Sequence, residues 1–324
     1  MDRALIFHKY LILLCFLCLY GSATAQAYPN KTLRVIVPAA PGDSCDTLAR
    51  LVGYKVSEKL GQQFAIDNRV GAGGQLGLQI IAQAPADGYT IGCGQGGNMV
   101  IIPLAYKKVA YDSYKDFAPI AMMASNFLAL AVHPNTPFKT TRDLITYGKT
   151  NPGKLTFGTN GEGAFLHFAT ELFRKEAGFT YHHVPFKTAG TIVTDLIGGR
   201  IDAVMGAFIT LQPHAVSKRL RILGVARETR APNYPDFPTL SEAVPGFKSG
   251  GWFGAIAPAG MAKEQIAFLN REMNAAMKLP DIREKAALVG LELHTEPPEF
   301  FTQMLRNDFE KWGKLARDIG FKPQ

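Results

Sequence analysis

Cysteine is scarce in this chain: there are four in 324 residues, and two of them, Cys15 and Cys18, fall within the first 25 positions. Beyond residue 25 there is no CxxC pair, no HExxH and no GxSxG. The thiol-redox, zincin and nucleophile-elbow signatures are therefore missing. His133, His167, His182, His183, His214 and His294 lack metal-ligand spacing, so neither a metal nor a cofactor is assigned. The net charge of +8 is not gathered into Lys/Arg runs. The excess favours anionic partners generally, and its dispersal argues against nucleic acid. Past residue 25 no apolar run approaches the about 20 residues that span a bilayer. Low-complexity segments and fixed-period repeats are also absent.

What is present is a globular composition, 47% hydrophobic and 19% charged, in a chain long enough for about two domains. Residues 1–25 have the anatomy of a cleavable secretory signal. Arg3 and Lys9 form a positive n-region, Tyr10 to Tyr20 is uncharged and apolar, and Ala23-Thr24-Ala25 is a small-x-small site. Gln26 is the expected mature start. Leu17 before Cys18 argues against a lipoprotein. Only Cys45 and Cys93 then remain, either bridged or as two free thiols.

Strand and helix patterns alternate along the rest. Leu33 to Val37, Phe64 to Asp67 and Tyr89 to Cys93 read as strands. Asp46 to Leu60 and Leu76 to Ala84 read as helices, with Gly61 placed to cap the first. A second series follows. Its strands are Phe127 to Val132, Leu155 to Gly158, Tyr181 to Pro185, Ile201 to Met205 and Leu220 to Ala226. Its helices are Thr141 to Thr150, Ala164 to Ala177 and Thr191 to Ile197. A proline-rich connection, a strand from Gly251 to Ala257 and three helical segments from Lys263 onward complete the chain. The pattern predicts two α/β lobes with a ligand cleft between them.

Four loops are candidates for binding. Ala39 to Asp46, between the first strand and helix, sets Gly42, Asp43, Ser44, Cys45 and Asp46 before a helix N-terminus, where free N–H groups favour an anion. Taken alone it reads as an ordinary turn capped by Ser44 or Asp46. Thr159-Asn160-Gly161-Glu162-Gly163 repeats that design in the other half. Two such sites on one cleft would clamp a ligand with two acidic ends. Gly71 to Gly77 contains GAGG rather than GxGxxG and reads as a structural turn. Gly92 to Asn98 follows a strand, where its glycines permit close approach and Gln95 and Asn98 offer polar groups. His167 lies one turn into the second loop's helix. His182 and His183 share a strand and so face opposite sides, one buried and one solvated. Trp252 and Phe253 fit either the cleft or the core.

Taken together these segments resemble the Bug family, the periplasmic substrate-binding proteins of tripartite tricarboxylate transporters. The resemblance runs from about Tyr28 to the C-terminus. It rests on Pro41-Gly42 with Asp46, Asn68-Arg69 with GAGG, ADGYT at 86–90, KDFAPIA at 115–121 and NPGKLTFGT at 151–159. His167, HVPFK at 183–187, TDLIGGRIDAV at 194–204, PDFPTLSEAVPGF at 235–247 and WFGAIAPAG at 252–260 continue it. It implies a two-lobed, type II-like Venus-flytrap fold: lobe 1 over 26–126 and 247–324, lobe 2 over 127–246. It further implies a periplasmic, non-enzymatic and monomeric binder of a small organic acid that delivers its ligand to a membrane permease. By position the implied ligand residues are Gly42 through Asp46, Gln95, Gly96, Thr159, Asn160, Gly163, Ala164, His167, Lys187, Thr188 and Gly206.

The chain departs from the family's usual residues at Asp43, where glycine is common, and at Cys45. It also departs at Ala164, commonly a hydroxyl residue, and Gly206, often acidic. An inward-facing Asp43 would favour a ligand bearing an amine or amide. A Cys45–Cys93 bridge would staple two binding loops. The competing readings are a sensor that presents ligand to a signalling receptor and a secreted enzyme acting on an acidic substrate.

Overall fold

The computed structural model describes residues 28–186 and 189–324. The expected leader, with its cleavage site, and Lys187 and Thr188 lie outside the described residues. Among those described, no helix is long and apolar enough to cross a membrane.

The strands assort into two sheets. The first has the order β11-β4-β10-β3-β1-β2, built from β1 (Leu33–Val37), β2 (Phe64–Asn68), β3 (Thr90–Gln95), β4 (Phe117–Ser125), β10 (Trp252–Pro258) and β11 (Glu292–Leu293). The second has the order β7-β6-β8-β5-β9, built from β5 (Leu128–Val132), β6 (Thr156–Thr159), β7 (His182–Pro185), β8 (Ala203–Ala207) and β9 (Arg221–Val225). Each sheet has a parallel trio: β1 pairs with β2 and β3, and β6 pairs with β7 and β8. Each trio then meets one antiparallel strand that arrives from the other sheet. That strand is β10 beside β3 in the first sheet and β5 beside β8 in the second. Both sheets are therefore mixed, not simply parallel.

Helices connect the parallel strands, as right-handed crossovers require. In the first half they are α1 (Ser44–Leu60) and α2 (Gln75–Ala82), followed after β3 by a π-helical turn (Gly97–Ile101) that runs into α3 (Ile102–Ala105). The second half holds α4 (Thr141–Thr150), α5 (Phe165–Ala177), α6 (Ala189–Ile197) and α7 (Phe208–Val216). The tail supplies α8 (Lys263–Met277), α9 (Pro280–Leu288) and α10 (Pro298–Asp318). Gly61 does cap α1, in the left-handed conformation and with its N–H on the Ser57 carbonyl.

The first sheet's α1/α8 side is an apolar layer that includes Leu48, Val52, Ile120, Leu269 and Met277, all at most 2% exposed. Cys45 and Cys93 meet within this layer as a disulfide, with Cα atoms 6.1 Å apart. Cys93 sits inside β3, paired with Ala255, not after the strand. Two elements escape the sequence pattern. β4 is a nearly continuous apolar run, FAPIAMMAS, without alternation, because both of its faces are covered. α7 carries an internal Pro213 and little polar periodicity.

α10 reaches from one sheet to the other. It packs on β4, and its Trp312 meets Phe165 and Phe168 of α5 edge-on, at 5.8 and 6.4 Å. Beyond it Phe321 lies 5.1 Å from Phe168, and the last residue exchanges backbone hydrogen bonds with Ala105 and Lys107.

Candidate functional site

A cavity of about 290 Å³ opens at the carboxyl ends of the parallel strands of both sheets, where open α/β folds bind ligands. From the first sheet it takes Gln95 and Gly96 at the end of β3, then Gly97, Asn98, Ile101 and Ile102. From the second it takes Asn160, Gly163 and Ala164 after β6, Phe165 and Leu166 opening α5, and Ala207 closing β8. Asn126, Gly251, Trp252 and Phe253, from the two crossings between sheets, complete its wall together with Leu128 and Gly73. Among the described residues no ionisable side chain lines it.

Three helical segments begin at this cavity. The π turn starts after Gly96, α5 after Ala164 and α7 after Ala207, and none of these three residues supplies a side-chain cap. The positive ends of three helix dipoles therefore face one space. Leu166 N–H is held by Asn160 Oδ1 at 3.3 Å, and Phe208 N–H by the Phe127 carbonyl at 3.1 Å. Asn98 is fully buried. Its Oδ1 accepts the Gln95 N–H at 3.0 Å, while its Nδ2 has no partner. That nitrogen is packed beneath Gly74, 2.7 Å from where a Cβ there would stand. The result is a chamber at which three helix dipoles point, an arrangement suited to an oxyanion.

Gly96 makes room for the wall. A Cβ there would lie 2.9 Å from Trp252 Nε1. Trp252 Nε1 instead donates to Asp308 Oδ2 at 2.6 Å, which fixes the indole at the cavity's edge. Trp252 and Phe253 are thus both core residues and cavity wall, 5% and 6% exposed.

The second loop is held from below. Gly163 N–H donates to His167 Nδ1 at 3.1 Å. The His167 ring stacks on His183, with centroids 4.3 Å apart and planes 6° apart. His183 Nε2 lies 2.6 Å from Thr159 Oγ1 at the end of β6. Burial, the largest influence on both rings, lowers the His167 pKa and, with the neighbouring His167, brings His183 down to about 4. His182, on the opposite side of β7, is exposed. His167 and Thr159 therefore position the loop and do not line the cavity.

The first loop is self-contained. Asp43, not Ser44 or Asp46, is the N-cap of α1, accepting the Cys45 N–H at 3.1 Å. It is open to water on one side and crowded by the loop on the other. That partial desolvation raises its pKa even though two backbone N–H groups pull it down. Asp46 is almost wholly buried. It accepts Gly42 N–H and Asn68 Nδ2 at 2.9 Å and pairs with Arg50, also at 2.9 Å. None of Gly42, Asp43, Ser44, Cys45 and Asp46 lines the cavity, so Asp43 supplies no reason for an amine-bearing ligand. Gly206 is also turned away: a Cβ there would meet Leu211 of α7 at 3.2 Å, and its neighbour Ala207 faces the cavity instead. The GAGG segment is a turn, as read, with Gly74 packed on Pro38, but its Gly73 reaches the cavity. The sequence reading had no signal for Asn126 and Gly251, since only the crossing geometry brings them there.

The family model described as the tripartite tricarboxylate transporter family receptor matches residues 48–321. The chain belongs to this receptor family. Within it, the chain is 34% identical over 292 residues to a UPF0065 protein encoded in the tcbD-tcbE intergenic region of Pseudomonas sp. strain P51, covering 90% of this chain and 87% of that one. It is 30% identical over 301 residues to protein BugT of Bordetella pertussis, covering 92% of each. Among solved structures it resembles a protein of R. palustris determined with adipate, with a TM-score of 0.82, 31% identity, and coverage of 92% of this chain and all of the other. The receptor's two-sheet α/β architecture is that of periplasmic binding proteins.

Proposed function

We propose that this receptor captures a small di- or tricarboxylate between two lobes, 26–126 with 247–324 and 127–246, and presents the closed form to the membrane permease of a tripartite tricarboxylate-type transporter. Export through a leader cleaved before Gln26 would place it in the periplasm as a monomer. The observation that carries the reading is the chamber on which three helix starts converge, none of them capped by the side chain of its own N-cap residue. Such a chamber suits a carboxylate by way of fixed backbone donors and helix dipoles. The adipate complex of the R. palustris relative supports the ligand class. Lys187 and Thr188, which follow β7, are proposed as further ligand residues by family resemblance alone. Closure is driven by contacts that exist only when both lobes touch the ligand.

The test is a calorimetric and thermal-shift titration of the chain from Gln26 with adipate, malate, citrate, the corresponding amides and amino acids. A carboxylate present at about 100 times its dissociation constant adds roughly 2.7 kcal/mol of stability. Binding of an acid with no response to its diamide supports the reading. Equal binding of acid and diamide, or turnover of the acid, overturns it.

A further inference from the structure

The end of α10 aims one side chain. Gly320 takes the left-handed conformation, with φ at +66°, and its N–H bonds to the Arg317 carbonyl at 3.1 Å. The next N–H, that of Phe321, reaches back to the Ala316 carbonyl at 2.9 Å. In this kind of helix end the residue after the glycine folds back onto the last turn. Three residues on, Gln324 N–H bonds to the Ala105 carbonyl at 2.9 Å, and the Gln324 carbonyl accepts the Lys107 N–H at 2.8 Å. Phe321 is therefore fixed from both sides, by the end of α10 and by the end of α3. Both anchors belong with the first sheet, since α3 follows β3 and α10 packs on β4.

The loop that Phe321 meets belongs with the second sheet. Gly163, after β6, is buried and has φ at +72°. An added Cβ there would stand 3.1 Å from Ala105 Cβ and 3.1 Å from Phe321 Cζ. The left-handed turn and the missing side chain together let Gly163 seat in the notch between these two residues. From its own side Gly163 is held by His167, whose Nδ1 accepts its N–H at 3.1 Å. The Phe321 ring lies edge-on to the rings of His167 and Phe168, with centroids 6.3 and 5.1 Å away. Phe321 and Ala105 stand behind the wall of the carboxylate chamber, while Gly163 and Ala164 form part of it.

From this juxtaposition we infer that Phe321 is a positioning residue for the carboxylate chamber: with Ala105 it sets the Gly163 loop from the side of the opposite sheet. The start of α5 is aimed at the chamber only as accurately as residues 160–164 are placed. His167 fixes that loop within the second sheet. Phe321 and Ala105 fix it relative to Gln95 and Gly96, the first-sheet part of the wall. A ligand touching both parts gains from a spacing set before it arrives, because less ordering then opposes binding. The effect on affinity rests on the carboxylate reading; the placement of the loop does not, and it can be measured without ligand.

The experiment follows amide hydrogen exchange in the unliganded chain from Gln26. The N–H groups of Gly163, Ala164 and Leu166 bond to His167 Nδ1, the Gly161 carbonyl and Asn160 Oδ1, so their exchange reports whether the loop keeps its shape. Phe321→Ala should raise exchange over residues 160–166 by about tenfold. Phe321→Leu, which refills most of the notch, should return most of the protection. Met273→Ala is the control. It opens a cavity in the apolar layer on the α8 side of the first sheet, where Met273 is 4% exposed. It should lower the melting temperature without raising exchange over 160–166. Adipate titrated into the same proteins should bind about tenfold more weakly to Phe321→Ala and undiminished to Met273→Ala. Three results overturn the proposal: unchanged exchange over 160–166 in Phe321→Ala, an equal rise in Met273→Ala, or full adipate affinity in Phe321→Ala. Failure of the unsubstituted chain to bind any carboxylate sinks the carboxylate reading instead, and the exchange over 160–166 still decides whether Phe321 sets the loop.

Discussion

The imidazoles of His167 and His183 lie face to face, 4.3 Å apart and nearly parallel, beneath the loop that forms one wall of the carboxylate chamber. His167 Nδ1 accepts a hydrogen bond from the Gly163 N–H, so that nitrogen carries no proton in this arrangement. A proton added there would face an N–H already aimed at it. A charge on either ring would also oppose a charge on the other across the stack.

A pH dependence follows. Both folded-state pKa values lie below the ordinary 6.5, His183 at about 4. Between about pH 6.5 and pH 4 the unfolded chain therefore binds more protons than the folded one, and stability rises with pH through that window. It is fully present above pH 6.5 and lost as pH falls toward 4. Glu162 and Glu171, which favour the charged rings, moderate the loss. Thermal melts from pH 7.5 to 4 should show a falling Tm, and His183→Gln should flatten the profile. An unchanged profile in that variant would assign the dependence elsewhere.

Replacing His167 by leucine removes the acceptor from a buried backbone N–H. The expected cost is about 1–3 kcal/mol, together with weaker carboxylate binding, because Gly163 and Ala164 line the chamber. Urea denaturation and a ligand titration check the two effects separately. A variant that loses stability but keeps full affinity would show that the loop holds its shape without this anchor.

Asp43 makes the opposite prediction. Its carboxylate caps α1 and stays out of the chamber, so Asp43→Ala should cost about 1 kcal/mol of stability. Ligand affinity should not change, and Asp43→Ser should restore most of the stability. A change of ligand preference in Asp43→Gly would place the side chain at the ligand after all.

The Cys45–Cys93 bridge closes a loop with a sequence separation of 48. Chain-entropy arguments put its contribution at up to about 4 kcal/mol. Reduction, or the paired Cys45→Ala and Cys93→Ala exchange, should lower the urea midpoint accordingly. Neither sulfur borders the chamber, so affinity measured below the new midpoint should persist.

Gly96→Val tests the wall. The added carbons must displace the Trp252 indole, which stands 2.9 Å from the Cβ position, or fill the chamber itself. Carboxylate affinity should fall by about a hundredfold, the equivalent of roughly 2.7 kcal/mol. Retained affinity would mean that the ligand sits away from β3.

Much of this architecture was legible because strands and helices alternate with recognisable spacing and caps, as at α1 with Gly61 and at α5. β4 was not legible: alanine and methionine without alternation do not distinguish a doubly covered strand from a buried helix. In the site, the loops after β3 and β6 could be read from their glycines and amides. The loop after β1 misled, because its polar groups serve one another. Asp46 is consumed by Gly42, Arg50 and Asn68, and the Asn68 contact lies 22 residues away. Gly206 misled by a single position, since adjacent residues of a strand face opposite sides. Asn126, Gly251 and Trp252 converge only once two separate crossings lie side by side, a relation no local window contains.

The place of β10 has a consequence for how this chain matures. It is the strand that joins β3 to β4, yet it is 252–258 in sequence. A polypeptide emerging amino end first presents β3 and β4 long before their common neighbour exists, and each waits with an open edge. The second sheet, contained within 128–225, is complete earlier. The first sheet closes only after the later part of the chain returns, and such long-range closure is slow. The Cys45–Cys93 bridge lies wholly within the earliest segment and does not need that return. It is therefore suited to hold α1 against β3 before the later strand arrives.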